Sequence, residues 1–214
     1  MKNRNRPIAV EGYPFIALFA AGTLICALLG WSYLTVILLL LTCFTVYFFR
    51  NPERLTPVDA AAVVAPADGK VVFVGKVKEE RFLQKETVKV SIFMSVFNVH
   101  VNRVPFSGKV VDMYYHKGRF FNASLDKASS ENEQGGILLE TAGGKPLLVV
   151  QIAGLIARRI LTYPVIGDLL VKGERYGLIR FGSRVDIYLP VECELLIRLG
   201  DRAVGGETIL GFLR

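Results

Sequence analysis

Three places in this 214-residue chain bring together side chains that can do chemistry. Gly182-Ser183 presents a hydroxyl directly after a residue with no side chain, so the carbonyl preceding the serine is open to attack. The run Asn98-Val99-His100-Val101-Asn102 alternates polar and apolar residues, which in a strand places Asn98, His100 and Asn102 on one face. Asp68-Gly69 adds a carboxylate. Hydroxyl, imidazole and carboxylate are the parts of a nucleophile, its base and the group that orients the base. Each also has a plainer reading: a Gly-Ser bulge, an Asp-Gly turn, and a structural histidine in a strand. The other histidine, His116, stands at a strand end beside Lys117 and reads as exposed. Two histidines, with neither an HExxH nor a CxxC spacing, give no zinc site, and no metal is expected.

The elements that must hold these residues fall into two parts. Residues 13–49 carry no charge, a run about 55 Å long as one helix and too long for a ~30 Å hydrocarbon core. A break at Gly30-Trp31-Ser32 divides it into two apolar helices, 13–29 and 33–49, forming a transmembrane or membrane-embedded hairpin within residues 1–50. Lys2, Arg4 and Arg6 before it and Arg50 and Arg54 after it place both ends, and the domain that follows, on the cytoplasmic side of the cell membrane. The run is too long for a cleaved leader. The net charge of +7 therefore points to a membrane surface and not to nucleic acid. Cys26, Cys43 and Cys193 suggest no disulfide framework.

Residues 51–214 read as one mainly β domain. Segments 70–77, 87–93, 108–115, 137–140, 147–152 and 185–189 are rich in β-branched and aromatic residues and are separated by turn signals such as Ala142-Gly143-Gly144-Lys145. Residues 118–133 are polar and read as a surface loop with room for a helical turn, of a length that often covers a site.

Taken together, Pro66-Ala67-Asp68-Gly69, Asn98-Val99-His100-Val101-Asn102-Arg103 and Phe181-Gly182-Ser183 resemble the three signature regions of phosphatidylserine decarboxylases, in the family's order. Gly118-Arg119-Phe120, Gln151-Ile152-Ala153-Gly154, Ala157-Arg158-Arg159-Ile160 and Lys172-Gly173-Glu174-Arg175-Tyr176-Gly177 extend the likeness to the short, archaeal-type branch also found in bacteria. The resemblance implies a proenzyme that cuts itself between Gly182 and Ser183, giving a β subunit of residues 1–182 and an α subunit of residues 183–214 that stay together as a heterodimer or within a higher oligomer. Ser183 would become a covalent pyruvoyl cofactor. Its ketone would form a Schiff base with phosphatidylserine drawn from the bilayer and release carbon dioxide and phosphatidylethanolamine. Ser183, His100 and Asp68 are the catalytic residues so implied, and Arg54, Arg103 and Arg158 are candidates for the lipid phosphate.

In one respect the chain departs from the longer bacterial and mitochondrial members. They carry a second histidine three residues after the first, where this chain has Arg103, so His100 would serve both self-cleavage and decarboxylation. Segments 70–77 and 195–210 also look like the paired halves of a biotinyl/lipoyl-type barrel-sandwich hybrid, which gives the expected fold and a rival, a noncatalytic membrane-tethered carrier or adaptor. A carrier needs a modifiable lysine at a hairpin tip, and Lys70 lacks that setting. A serine hydrolase is disfavoured because Val185 stands where a Gly-x-Ser-x-Gly elbow needs glycine.

Overall fold

The computed structural model describes residues 6–125, 128–155, 159–180 and 182–213. They form two compact units, residues 2–53 and residues 54–214.

In the first unit, α1 (Tyr13–Leu28) and α2 (Ser32–Phe48) pack as a helical hairpin. The chain reverses at Gly30, whose φ of 74° is one that a side chain resists. Val10–Leu28, a 3₁₀ turn continued into α1, is long and apolar enough to cross a membrane, and Ser32–Phe48 is a shorter apolar helix. The base of the hairpin is tied shut by Ala9 N–H donating to Phe49 O at 2.8 Å, Asn51 N–H to Pro7 O at 2.7 Å and Asn51 Nδ2 to Arg6 O at 2.8 Å. Within the apolar stretch the hydroxyls of Thr23, Thr35, Thr42 and Thr45 each donate to a backbone carbonyl one turn back, which satisfies them without an outside partner.

The second unit is mainly β, as expected, with every strand pair antiparallel. In chain order its strands are β1 (Ala62–Val64), β2 (Gly69–Glu79), β3 (Lys85–Met94), β4 (Val101–Arg103), β5 (Gly108–His116), β6 (Gln134–Glu140), β7 (Pro146–Ile152), β8 (Ile160–Thr162), β9 (Leu169–Leu170), β10 (Arg175–Ile179), β11 (Ser183–Leu189), β12 (Glu194–Leu195), β13 (Arg202–Ala203) and β14 (Ile209–Phe212). A large sheet runs β13-β2-β3-β11-β7-β6-β5-β9, and two small ones run β4-β10-β8 and β1-β14-β12. The six segments rich in β-branched and aromatic residues fall in β2, β3, β5, β6, β7 and β11, and these strands make the body of the large sheet. Their inward residues, among them Val90, Ile92, Leu139, Val149, Val185 and Ile187, fill one core.

The outer face of β11 is buried as well. Arg184 and Asp186 project there, both wholly excluded from solvent, with Arg184 Nε donating to Asp186 Oδ1 at 2.6 Å and Arg184 NH2 to Ser91 Oγ at 2.7 Å. The loop over this face includes the short helix α3 (Ala128–Glu131), from which Ser129 donates to Asp186 Oδ2 at 2.7 Å. Burial pushes the nearby Tyr114 and Tyr188 phenols well above their usual range, so both remain neutral. Replacing Asp186 with alanine strands a buried guanidinium. The expected cost is about 3 kcal/mol, read as a lower denaturation midpoint of the full chain in detergent.

Candidate active site

Ser183 opens β11 and is wholly buried. Its register partner on β3 is Met94, and Ser183 Oγ lies 3.4 Å from the Met94 sulfur. Gly182, the residue before it, has φ of 57°, a left-handed conformation that turns the chain into the strand. The Gly182 carbonyl oxygen sits against Gly154, just past β7, so closely that a methyl group on Gly154 would clash with it.

His100 is wholly buried and meets the same turn. Its Nδ1 lies 2.9 Å from the carbonyl oxygen of Asn98, which can only accept, so Nδ1 carries the proton. Its Nε2 then holds a lone pair and accepts the Gly182 N–H at 3.3 Å. Two backbone groups thus set the tautomer that a general base requires. Asn98 does not share a strand face with His100. β4 begins only at Val101, and Asn98 lies in the preceding turn, where its Oδ1 accepts both the N–H and the hydroxyl of Ser95.

Asp68 sits in the bend before β2. Its Oδ2 accepts from Arg54 NH2 at 2.8 Å and its Oδ1 from the Gly205 N–H at 2.7 Å. Arg54 also reaches Glu207 at 3.6 Å. Arg103 is buried and donates to Gly173 O at 2.9 Å, with Gly206 packed over its Cδ where a Cβ would approach to 2.6 Å. Both arginines therefore hold acceptors of the protein itself. Arg158, like Phe181 and Ala157, lies outside the described residues. His116 is exposed at the end of β5.

The structure links Asn102 and Gln151, both within the quoted motifs, to partners that sequence reasoning did not assign them. Thr162 donates to Gln151, Gln151 Nε2 donates to Asn102 Oδ1, both at 2.8 Å, and Asn102 Nδ2 lies 3.6 Å from the Met94 sulfur. This buried ladder runs from β8 to the sulfur that holds the Ser183 hydroxyl. A glutamine inside the otherwise apolar β7 was the available signal, because a buried amide needs partners. The loop 118–133 is pinned beside the same place by Asn132, wholly buried, whose Nδ2 donates to Phe121 O at 2.8 Å and to Ala153 O at 2.7 Å while its Oδ1 accepts the Phe121 N–H at 2.9 Å. Among the described residues no cluster of His, Cys, Asp and Glu could hold a metal.

A glycine carbonyl held beside a buried serine, with an imidazole in its basic tautomer on the same turn, has the parts of an acyl-shift site. Comparison with known families matches residues 41–211 to phosphatidylserine decarboxylase. The chain belongs to the phosphatidylserine decarboxylase family. Relatives named phosphatidylserine decarboxylase proenzyme align over the full length of both chains, at 63% identity in Syntrophotalea carbinolica, 57% in Geotalea uraniireducens and 56% in Geobacter metallireducens. In this family member, then, Ser183, Gly182 and His100 come together, and Asp68 is held by Arg54 and Gly205.

Removing the Asn132 amide deprives the Phe121 and Ala153 carbonyls of their donor. Asn132→Ala should cost about 3 kcal/mol and speed protease cutting within residues 119–131 while leaving cutting elsewhere unchanged.

Proposed function

We propose that this chain is made as a proenzyme, cuts itself between Gly182 and Ser183, converts Ser183 to a pyruvoyl group, and decarboxylates phosphatidylserine to phosphatidylethanolamine. The observation that carries this reading is the buried meeting of Gly182, Ser183 and His100, in a chain matched to the family over residues 41–211.

The groups present can balance the cut. His100 Nε2 takes the hydroxyl proton as Ser183 Oγ, turned from Met94, adds to the Gly182 carbonyl carbon. Collapse breaks the bond from that carbon to the Ser183 nitrogen, which receives the proton, and an ester remains. Loss of the Ser183 α-proton expels the Gly182 carboxylate and leaves dehydroalanine, which tautomerises, takes up water and releases ammonia to give the ketone. Asp68, fixed by Arg54 and Gly205, keeps the catalytic carboxylate role that the family resemblance gives it, while the Asn98 carbonyl holds the His100 Nδ1 proton.

Position 183 fits the resulting group, because it is buried and because β11 stays bonded to β3 and β7 along its length, so the new chain end is held after the break. The pyruvoyl group supplies a carbonyl that binds the substrate amine and draws off the electrons left as carbon dioxide departs. His100 is then the proton donor at the substrate carbon, and burial of the site keeps water from competing. The apolar hairpin keeps the enzyme at the cell membrane, where its diacyl substrate resides, with the catalytic domain on the cytoplasmic side. After the cut, residues 1–182 and 183–214 remain one β/α heterodimer. The carrier alternative loses its support at Lys70, which lies within β2 opposite Arg202 and Phe93 instead of at a hairpin tip.

Intact mass under denaturing conditions tests the reading. Two fragments are expected, the smaller beginning with a carbonyl at position 183, and a single chain with an unmodified Ser183 would overturn it. Ser183→Ala should leave the chain whole, and His100→Ala should slow the cut by about 10²-fold or more. Gly154→Ala should slow it at least tenfold by displacing the scissile carbonyl, and hydroxylamine, which cleaves the ester, should not restore the fragments.

A further inference from the structure

One row of register partners crosses the large sheet close to Ser183. Lys70 on β2 stands opposite Phe93 on β3, Phe93 opposite Arg184 on β11, Arg184 opposite Ile152 on β7, Ile152 opposite Gln134 on β6, and Gln134 opposite His116 on β5. The segments that leave these strands just beyond the row therefore emerge at one end of the sheet, the end where Gly182 leads into Ser183. Three of them, 95–100, 117–133 and 153–159, each hold a large apolar side chain out in solvent: Phe97 is 64% exposed, Leu125 45% and Leu155 66%. The two hairpin turns at the opposite end, 80–84 and 141–145, hold none.

Each of the three is tied to the cleavage turn through its neighbours. Phe97 precedes Asn98, whose carbonyl sets the His100 tautomer. Leu125 O accepts from NH1 of Arg184, the residue after Ser183, at 3.4 Å, and Ala123 of the same loop borders the space beside Gly154 into which the Gly182 carbonyl projects. Leu155 follows Gly154 directly. Apolar side chains gathered on loops in this way mark a surface that something covers.

Two observations favour a lipid bilayer as the cover. Arg54, bonded to Asp68 just before β2, lies at the same end of the sheet, six residues after α2 ends at Phe48, a span of roughly 22 Å at most, so the membrane that holds the apolar hairpin is within reach. Lys70 and Arg202, which line one cavity with Phe97, and Arg159, whose carbonyl accepts the Arg180 N–H, are exposed cations at this end and suit anionic head groups.

We propose that Phe97, Leu125 and Leu155 enter the head-group layer and dock this end of the catalytic domain on the bilayer. The inference deepens the decarboxylase reading and rests on it for its purpose, since docking sets the end of the sheet that carries Ser183 against the layer that supplies a diacyl substrate.

The test uses the full chain in vesicles of phosphatidylcholine and phosphatidylglycerol brominated on the acyl chains. Trp31, the one tryptophan, is first replaced by Trp31→Phe, and Phe97→Trp, Leu125→Trp and Leu155→Trp are added singly. Each should emit further to the blue than in detergent-free solution of a water-exposed indole and be quenched about twofold relative to unbrominated vesicles. A second exposed apolar group, Val165, Ile166, Leu169 and Val171, lies along the β9 edge, and Leu169→Trp should not be quenched. The combined Phe97→Ser, Leu125→Asn and Leu155→Asn variant should lose about tenfold in kcat/KM on phosphatidylserine vesicles, stay within about twofold on dihexanoyl phosphatidylserine below its micelle threshold, and complete the Gly182–Ser183 cut.

Quenching at Leu169→Trp in place of the three sites overturns the proposal, as does a blue-shifted but unquenched signal at all three, which means that a second copy of the chain covers them. An equal loss on monomeric and vesicle substrate also overturns it, because the residues then serve the site and not the bilayer. Should the parent release no carbon dioxide, the decarboxylase reading fails, and quenching, which needs no turnover, decides the docking by itself.

Discussion

Strand β11 is hydrogen-bonded along both edges, to β3 and to β7, and the rest of the site is placed by reference to it. Its first residue is Ser183, so the register with β3 sets Ser183 against Met94 and the continuation of the β7 pairing sets Gly182 against Gly154. A slip of one residue would send Ser183 to the opposite face and Arg184 into the apolar core. The Arg184–Asp186 pair opposes such a slip, because its satisfied hydrogen bonds exist only on the outer face, beneath the loop that carries Ser129. A central strand is also the right place for a self-cleaving bond: residues 183–214 keep their ladders whether or not the chain is continuous at 182.

The site itself is made by close approach more than by charge. Gly182 adopts a left-handed conformation, Gly154 leaves room for its carbonyl, and two backbone groups orient His100. The polar side chains joined to the Met94 sulfur are neutral ones, Asn102, Gln151 and Thr162, and each is bonded to the next. Such an interior favours loss of charge from a substrate carboxylate. The cations are placed elsewhere: Arg54 and Arg103 brace the turns around Asp68 and Gly206, and Lys70 and Arg202 face a cavity beyond the sheet edge.

The long strands were legible in the chain because each carries a run of β-branched, aromatic or other apolar residues bounded by turn signals, and the apolar hairpin because 37 uncharged residues in a row, broken at Gly30, exceed one helix of ordinary length. The short strands β1, β4, β8, β9, β10, β12, β13 and β14, of two to five residues, were not. A segment that brief carries no period, and its conformation comes from the partner it meets, often a hundred residues away, as β1 meets β14. The same limit explains Asn98, which alternation placed on a strand face and which the Ser95 turn instead captures.

Sequence alone determined the family, through motifs spread across residues 50–214, and with it the importance of the Gly182-Ser183 pair, His100 and Asp68. It also determined the mainly β class, since side-chain periodicity is local. Only the tertiary structure decided which atoms meet. That His100 Nε2 faces Gly182, that Met94 holds the serine, that Gly154 must lack a side chain, and that Lys70 opposes Arg202 all depend on strand register. Register is a property of pairs of segments distant in the chain, and no single segment encodes it.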